Sequence, residues 1–241
     1  MSTTVWKGTL EISAMSVPVR MSVAAAPLEL DFRLLDPATG RGVSQQFVDP
    51  ETGTTFKKAD LARSLTLDSQ SVMLTEEELK ALEPEKSSEI EVMGFLRLRD
   101  VDPIHFLASY HVLPDGKAGN AAYHLVAQAL GDSYAAQGTM VRRGKRYHVL
   151  VRASQSGGLV LHTLYHAGEV RQPDLPQADP ADPDQVRMAR LLMRRRRIAW
   201  KPGDLVDTHR RDVLALATAK AKPDDLTAEL QASLAASARP K

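Results

Sequence analysis

The sequence predicts a mixed β+α fold: many short strands forming a barrel or sandwich, two helices set among them, and a helical appendage behind a proline-rich break. Three observations carry this. Short β-prone runs recur along the first two thirds of the chain with Gly and Pro punctuation between them. Two stretches with helical start or stop signals interrupt the runs. After Arg171 the composition changes abruptly to QPDLPQADPADPDQ, in which four prolines oppose a regular element.

Trp6 to Val23 reads as a hairpin. Leu10 and Ile12 alternate with polar neighbours, and Val17, Val19 and Met21 do so after a turn at Ala14-Met15-Ser16. Further strands are predicted at Leu28 to Leu34, Val72 to Leu74, Ile90 to Leu98, Ile104 to Leu113, Tyr147 to Val151 and Leu159 to Leu164. Thr75 followed by Glu78 makes a capping box ahead of Leu79 and Leu82, and Pro84 closes that helix. A second helix from about Ala118 to Leu130 has an apolar stripe of Ala121, Ala122, Leu125, Val126, Ala129 and Leu130, with Gly131 as its stop.

Beyond the break, Asp184 is the expected cap of a helix. Val186, Ala189, Leu192 and Met193 lie on one side of it, and Arg187, Arg190, Arg194 and Arg197 on another. A further helix is expected from Leu205 to Lys220, and Leu226, Leu230 and Leu234 form a short leucine stripe. The organisation read from this is a core over 1–171, a connector over 172–184, a helical part over 185–222 and an Ala/Leu-rich tail over 223–241. There is no internal repeat.

With 241 residues the chain can bury a core without staples, and it has no cysteine, which removes disulfides, thiolate nucleophiles and Cys-ligated zinc. The first residues lack the pattern of a signal peptide, and no apolar run reaches membrane-spanning length, so a soluble intracellular protein without a membrane partner is expected. The net charge of +1 conceals a separation of sign. Thr139 to Arg211 holds 15 Lys or Arg against 7 Asp or Glu, while Asp49 to Asp102 holds 7 against 13. One surface can therefore face a polyanion while another repels it, although an unevenly charged, solvated surface gives the same counts.

No P-loop, dinucleotide-binding glycine pattern, HExxH or nucleophile elbow is present. His162 and His166 share a strand face by spacing, and read either as a partial metal pair or as half-buried histidines; no third ligand stands at a recognisable spacing. Glu76, Glu77 and Glu78 fall in the first turn of a helix, where carboxylates complement the dipole. The basic residues form two groups: Arg142, Arg143, Lys145 and Arg146 around a turn at Gly144, and the run Arg194 to Arg197. Both suit sequence-independent phosphate contacts. An exposed hairpin tip and a solvated helix face are the plainer readings.

Several stretches together resemble the bacterial Ku family: Trp6-Lys7-Gly8, VPVR at Val17 to Arg20, LTEEELKALEPEKSSEIEV from Leu74 to Val92, and Val101-Asp102-Pro103-Ile104. Tyr110, Leu113-Pro114, the AAYHLVAQAL helix and GGLVLHTLYHAGEVR from Gly157 to Arg171 continue the match, and Trp200-Lys201-Pro202 with Asp207, Arg210 and Arg211 extends it. The resemblance implies a Ku-like β-barrel core with a dimerisation arm and C-terminal helices, forming a homodimeric ring around duplex DNA. It implies a non-enzymatic protein without a cofactor, cytoplasmic and nucleoid-associated. Such a protein binds double-stranded DNA ends in non-homologous end joining and recruits ligase D, with ATP used by the ligase. Lys7, Arg20, Arg142, Arg143, Lys145 and Arg146 are then the expected phosphate contacts, with Arg194, Arg195 and Arg197 beside them.

The segment Asp49 to Ser71 departs from the family pattern, as do Ile12-Ser13-Ala14 and Ser22. Many bacterial Ku proteins carry a lysine-rich extension; here DDLTAELQASLAASARPK follows Pro223, with Arg239 and Lys241 as the cations after Lys222, and holding by a basic tail is not expected. Leu226, Leu230 and Leu234 are the candidate ligase contact, docking onto the body and disorder being the alternatives. A metal-dependent nuclease and an interaction module without DNA binding are the competing functional classes.

Overall fold

A computed structural model describes residues 3–117, 119–177 and 179–221. Its contacts divide the chain into two compact units, with the division between Pro173 and Asp174.

In the first unit the hairpin forms from β1 (Thr4–Ile12) and β2 (Met15–Val23), with Leu10 opposite Val17 and Lys7 opposite Arg20. Its turn is Ser13-Ala14, one residue earlier than the sequence suggests, and Ser13 takes φ 51°. Two small antiparallel pairs follow: β3 (Phe47–Val48) with β4 (Thr55–Phe56), and β5 (Arg63–Leu67) with β6 (Gln70–Leu74). Asp68 and Ser69 both have positive φ, the backbone that lets a two-residue turn join twisted strands. Helix α1 (Glu76–Ala81) begins at the expected capping box: Thr75 Oγ1 accepts from Glu78 N–H, and Glu78 Oε2 accepts from Thr75 N–H at 2.8 Å. These bonds hold the Glu78 carboxyl below its usual pKa.

The remaining elements of this unit are β7 (Glu89–Arg97), β8 (Phe106–Pro114), α2 (Asn120–Leu130), β9 (Tyr134–Arg142), β10 (Lys145–Ala153) and β11 (Leu159–Leu164). Seven strands close a barrel in the order β1-β2-β8-β11-β10-β9-β7, and the parallel pairing of β1 with β7 completes the ring. Alternate residues point inward, as a period of two requires: Leu10 and Ile12, Val17, Val19 and Met21, Val149 and Val151, and Leu159 and Leu161 are all buried there.

Helix α2 adds Tyr123, Val126 and Leu130 to this core. The Tyr123 hydroxyl donates to Val112 O at 2.7 Å and accepts from Leu159 N–H at 2.8 Å, tying the helix to two strands. Burial pushes the Tyr123 hydroxyl pKa up. The apolar stripe expected of this helix is therefore turned: Tyr123 is inside, and Leu125 is 57 % exposed.

Three other expectations are corrected. Leu28 to Leu34 forms no strand; Leu28 and Phe32 are each 73 % exposed, and the backbone between β2 and β3 pairs only in a bridge of Leu35 with Gly42. β-Prone side chains do not make a strand where no neighbouring strand offers its hydrogen bonds. Strand β9 is absent from the sequence reading, because Tyr134-Ala135-Ala136-Gln137-Gly138 lacks the branched residues that signal one. In the second unit, α3 (Pro183–Arg195) is capped by Asp182, whose Oδ1 accepts from Asp184 N–H at 2.9 Å. Pro183 stands at the first helical turn, where a missing N–H costs nothing, and so begins the helix instead of breaking it.

Helix α4 (Thr208–Ala221) follows in the second unit, with Asp207 Oδ1 accepting from Arg210 N–H at its start. Neither α3 nor α4 has a buried residue. No helix among the described residues is long and apolar enough to cross a membrane.

Candidate nucleic-acid interface

The strand pattern places each cation. On β1, Trp6 and Gly8 face inward, so Lys7 between them faces out; Arg20 is its direct partner on β2 and also faces out. Like charges directly opposite repel, so this pair forms a small positive patch that favours an anion. Asp115 reaches Lys7 Nζ at 3.5 Å, with the ammonium group's side chain largely and the carboxylate's partly in water, where such a pair is weak. Gly8 is required by the same local structure. A Cβ there would lie 1.9 Å from Ser88 O and 2.5 Å from the Trp6 ring, which folds over it.

Arg142 ends β9 on its inward side. Its Nη1 donates to the Tyr110 hydroxyl at 2.9 Å, and its Cζ lies 5.2 Å from the centre of that ring. The guanidinium is thus half-buried at the barrel's mouth rather than displayed on its wall. Arg143 and Gly144, with φ 52° and 71°, make the two-residue turn into β10 and leave Arg143 exposed at the tip. The Glu83 carboxylate approaches this turn; a Cβ on Gly144 would sit 2.7 Å from its carboxyl carbon. Lys145 is exposed, and Arg146 shares a shallow depression with Glu85, Glu89 and Glu91. The acidic residues counted in the sequence therefore flank this basic hairpin.

The barrel brings Arg142, Arg143, Lys145 and Arg146 to one hairpin and Lys7 with Arg20 to another. It does not bring the two groups together: β7 separates the hairpins on one side, and β8 and β11 on the other. Arg194, Arg195 and Arg197 belong to the second unit, where they are exposed at and just beyond the end of α3. Leu226, Leu230 and Leu234 lie outside the described residues.

One group was missed because its members are scattered in sequence. Arg152 on β10 donates from Nε to His162 Nε2 at 2.9 Å, Ser109 Oγ meets His162 Nδ1 at 2.9 Å, and Phe106 stacks on the imidazole with ring centres 4.3 Å apart. His162 is 5 % exposed; burial first, and the Arg152 charge second, lower its pKa to about 4. Both of its ring nitrogens are engaged, and His166 lies beyond the strand's end, where its ring meets His148 edge-on at 5.6 Å. Among the described residues no group of three or more His, Cys, Asp or Glu is placed to hold a metal ion.

Comparison with known proteins agrees with this architecture. The family model described as the Ku70/Ku80 beta-barrel domain matches residues 11–188. The chain is similar to the non-homologous end joining protein Ku of Koribacter versatilis, with 29 % identity over 95 % of this chain and 79 % of the relative. It is likewise 29 % identical to the non-homologous end joining protein Ku 3 of Saccharopolyspora erythraea, over 86 % of this chain and 81 % of that protein. Protein Ku of Mycobacterium phage Omega is also 29 % identical, over 98 % and 86 %. The family model spans most of a chain whose strands close as a barrel, and on that ground the protein belongs to the Ku family.

Proposed function

We propose that this protein binds double-stranded DNA ends in non-homologous end joining, as a homodimeric ring that threads onto the duplex and recruits ligase D. The observation that carries the reading is the match of the Ku barrel family across residues 11–188, in a chain whose relatives are end joining proteins by name. The chemistry supports it. A duplex is a uniform anionic rod, and outward cations such as Lys7 and Arg20 hold its backbone without reading bases. Exposed apolar side chains outside the barrel, among them Phe32 and Met73 at 73 % and 74 %, supply surface for a second copy to cover. End selectivity follows from topology, since a closed ring mounts a free end and not an internal stretch. The protein acts by holding and recruiting, and the ligase supplies the bond-forming chemistry.

Mass measurement with and without a short duplex tests dimerisation and loading together. The expected species is a dimer alone and a dimer on one duplex. A monomer in both samples contradicts the ring.

A further inference from the structure

Both groups of cations on the barrel have an acid set beside them by the backbone. At the β1–β2 hairpin that acid is Asp115. It follows β8 directly, and its N–H donates to Pro18 O at 3.0 Å, which fixes it beside the pair of Lys7 and Arg20. Its Oδ2 meets Lys7 Nζ at 3.5 Å. At the β9–β10 hairpin the acid is Glu83. A Cβ on Gly144 would lie 2.7 Å from its carboxyl carbon and 2.9 and 3.0 Å from its oxygens, so the carboxylate rests on the turn between Arg143 and Lys145. Among the described residues Glu83 belongs to no ion pair. An exposed charge pair adds little to folding stability, so the strength of the barrel does not account for either acid.

We propose that Asp115 and Glu83 are counter-charges that weaken the hold of these hairpins on the duplex backbone, so that a loaded ring moves along DNA instead of lodging where it first grips. This inference rests on the DNA-end reading and adds to it the residues that set the strength of the hold. A phosphate reaching Lys7 must take the place of Asp115, so one charge contact is exchanged for another and less counterion is released. A phosphate nearing Arg143 or Lys145 meets the Glu83 carboxylate at the same turn and is repelled. The surface still attracts a polyanion, because the cations of the two hairpins outnumber these acids, yet no position along the uniform backbone becomes a deep well. The plainer alternative is that Asp115 relieves repulsion between Lys7 and Arg20 in the free protein. It predicts a loss of folding stability when Asp115 is neutralised and no gain in DNA binding.

The test compares the full chain with its Asp115→Asn and Glu83→Gln variants, measuring affinity for a linear duplex at several salt concentrations and the rate of release from its open ends. Each variant is expected to bind roughly two- to five-fold more tightly, the strength of an exposed charge pair, and to leave the duplex more slowly by a similar factor. The slope of log K against log salt steepens by up to about 0.9 in each. Asp100→Asn is the control: it breaks an exposed pair with Arg99 of the same kind, at 3.6 Å and outside both groups of cations, and leaves affinity and slope unchanged. Unchanged affinity and slope in either Asp115→Asn or Glu83→Gln overturns the proposal. An equal gain in Asp100→Asn also overturns it, since total charge then accounts for the effect. Lower thermal stability of Asp115→Asn without tighter binding overturns it in favour of relieved repulsion. In all three cases duplex binding by the wild type leaves the DNA-end reading standing, whereas absence of that binding rejects the DNA-end reading itself.

Discussion

Arg152 Nε donates a hydrogen bond to His162 Nε2 at 2.9 Å, and a guanidinium N–H has no other role than donor. Nε2 must therefore present its lone pair, and the proton sits on Nδ1, facing Ser109 Oγ at 2.9 Å. The imidazole is neutral by construction: protonation would set two donors and two positive charges against one another in a buried place. The same bond ties strand β10 to β11, next to β8, which carries Ser109.

Stability should consequently fall as pH drops from 6.5 toward 4. The folded pKa of His162 is lowered to about 4 from the ordinary 6.5, so in this interval the unfolded chain binds the proton and the folded one does not. The contribution is complete well above 6.5 and is lost progressively below it, the loss amounting to about 2 kcal/mol at pH 5. Urea unfolding of the wild type and of His162→Gln checks this. The wild type loses more stability between pH 7 and pH 5 than the variant; parallel losses contradict the assignment.

Tyr123→Phe should destabilise the barrel by about 1–3 kcal/mol, since it strands a buried N–H of Leu159 and the Val112 carbonyl. Gly158→Ala should also be destabilising, because Gly158 has φ 82° and a Cβ there would lie 2.7 Å from the Tyr123 hydroxyl. Combined with Tyr123→Phe, the alanine remains costly through its backbone alone. Thermal unfolding of the three variants separates the two effects.

Much of the fold was legible in the sequence, and the failures share a cause. The β1–β2 hairpin, β11 and the Thr75 capping box are local patterns, complete within a dozen residues. Strand β9 depends on its neighbours: a Cβ on Gly138 would lie 2.1 Å from Glu91 O, and this close approach to β7 is invisible in a run of small residues. The site behaves likewise. Adjacent arginines were visible, but Tyr110 against Arg142, Asp115 against Lys7 and Glu83 beside Gly144 come together only when the barrel closes. Arg152 and His162 were never read as a pair because each is unremarkable alone.

Lys7→Ala with Arg20→Ala should weaken DNA binding uniformly across sequences and flatten its salt dependence. Each lost phosphate contact reduces the slope of log K against log salt by about 0.9. Thermal stability should hold, because the two cations face each other across the hairpin without benefit to it. Titrations at several salt concentrations measure the slope, and an unchanged slope removes these two residues from the interface.

Removing the residues after Pro223 should lower stimulation of ligase D and leave end binding intact. The readouts are ligation rate with the ligase present and DNA affinity without it. Undiminished ligation refutes recruitment through Leu226, Leu230 and Leu234.

Binding to linear duplex and to the same DNA as a covalently closed circle, compared at moderate salt, tests the threaded clamp most directly. The account predicts stable complexes on the linear form and weak, salt-sensitive ones on the circle. Equal affinity for both would contradict it.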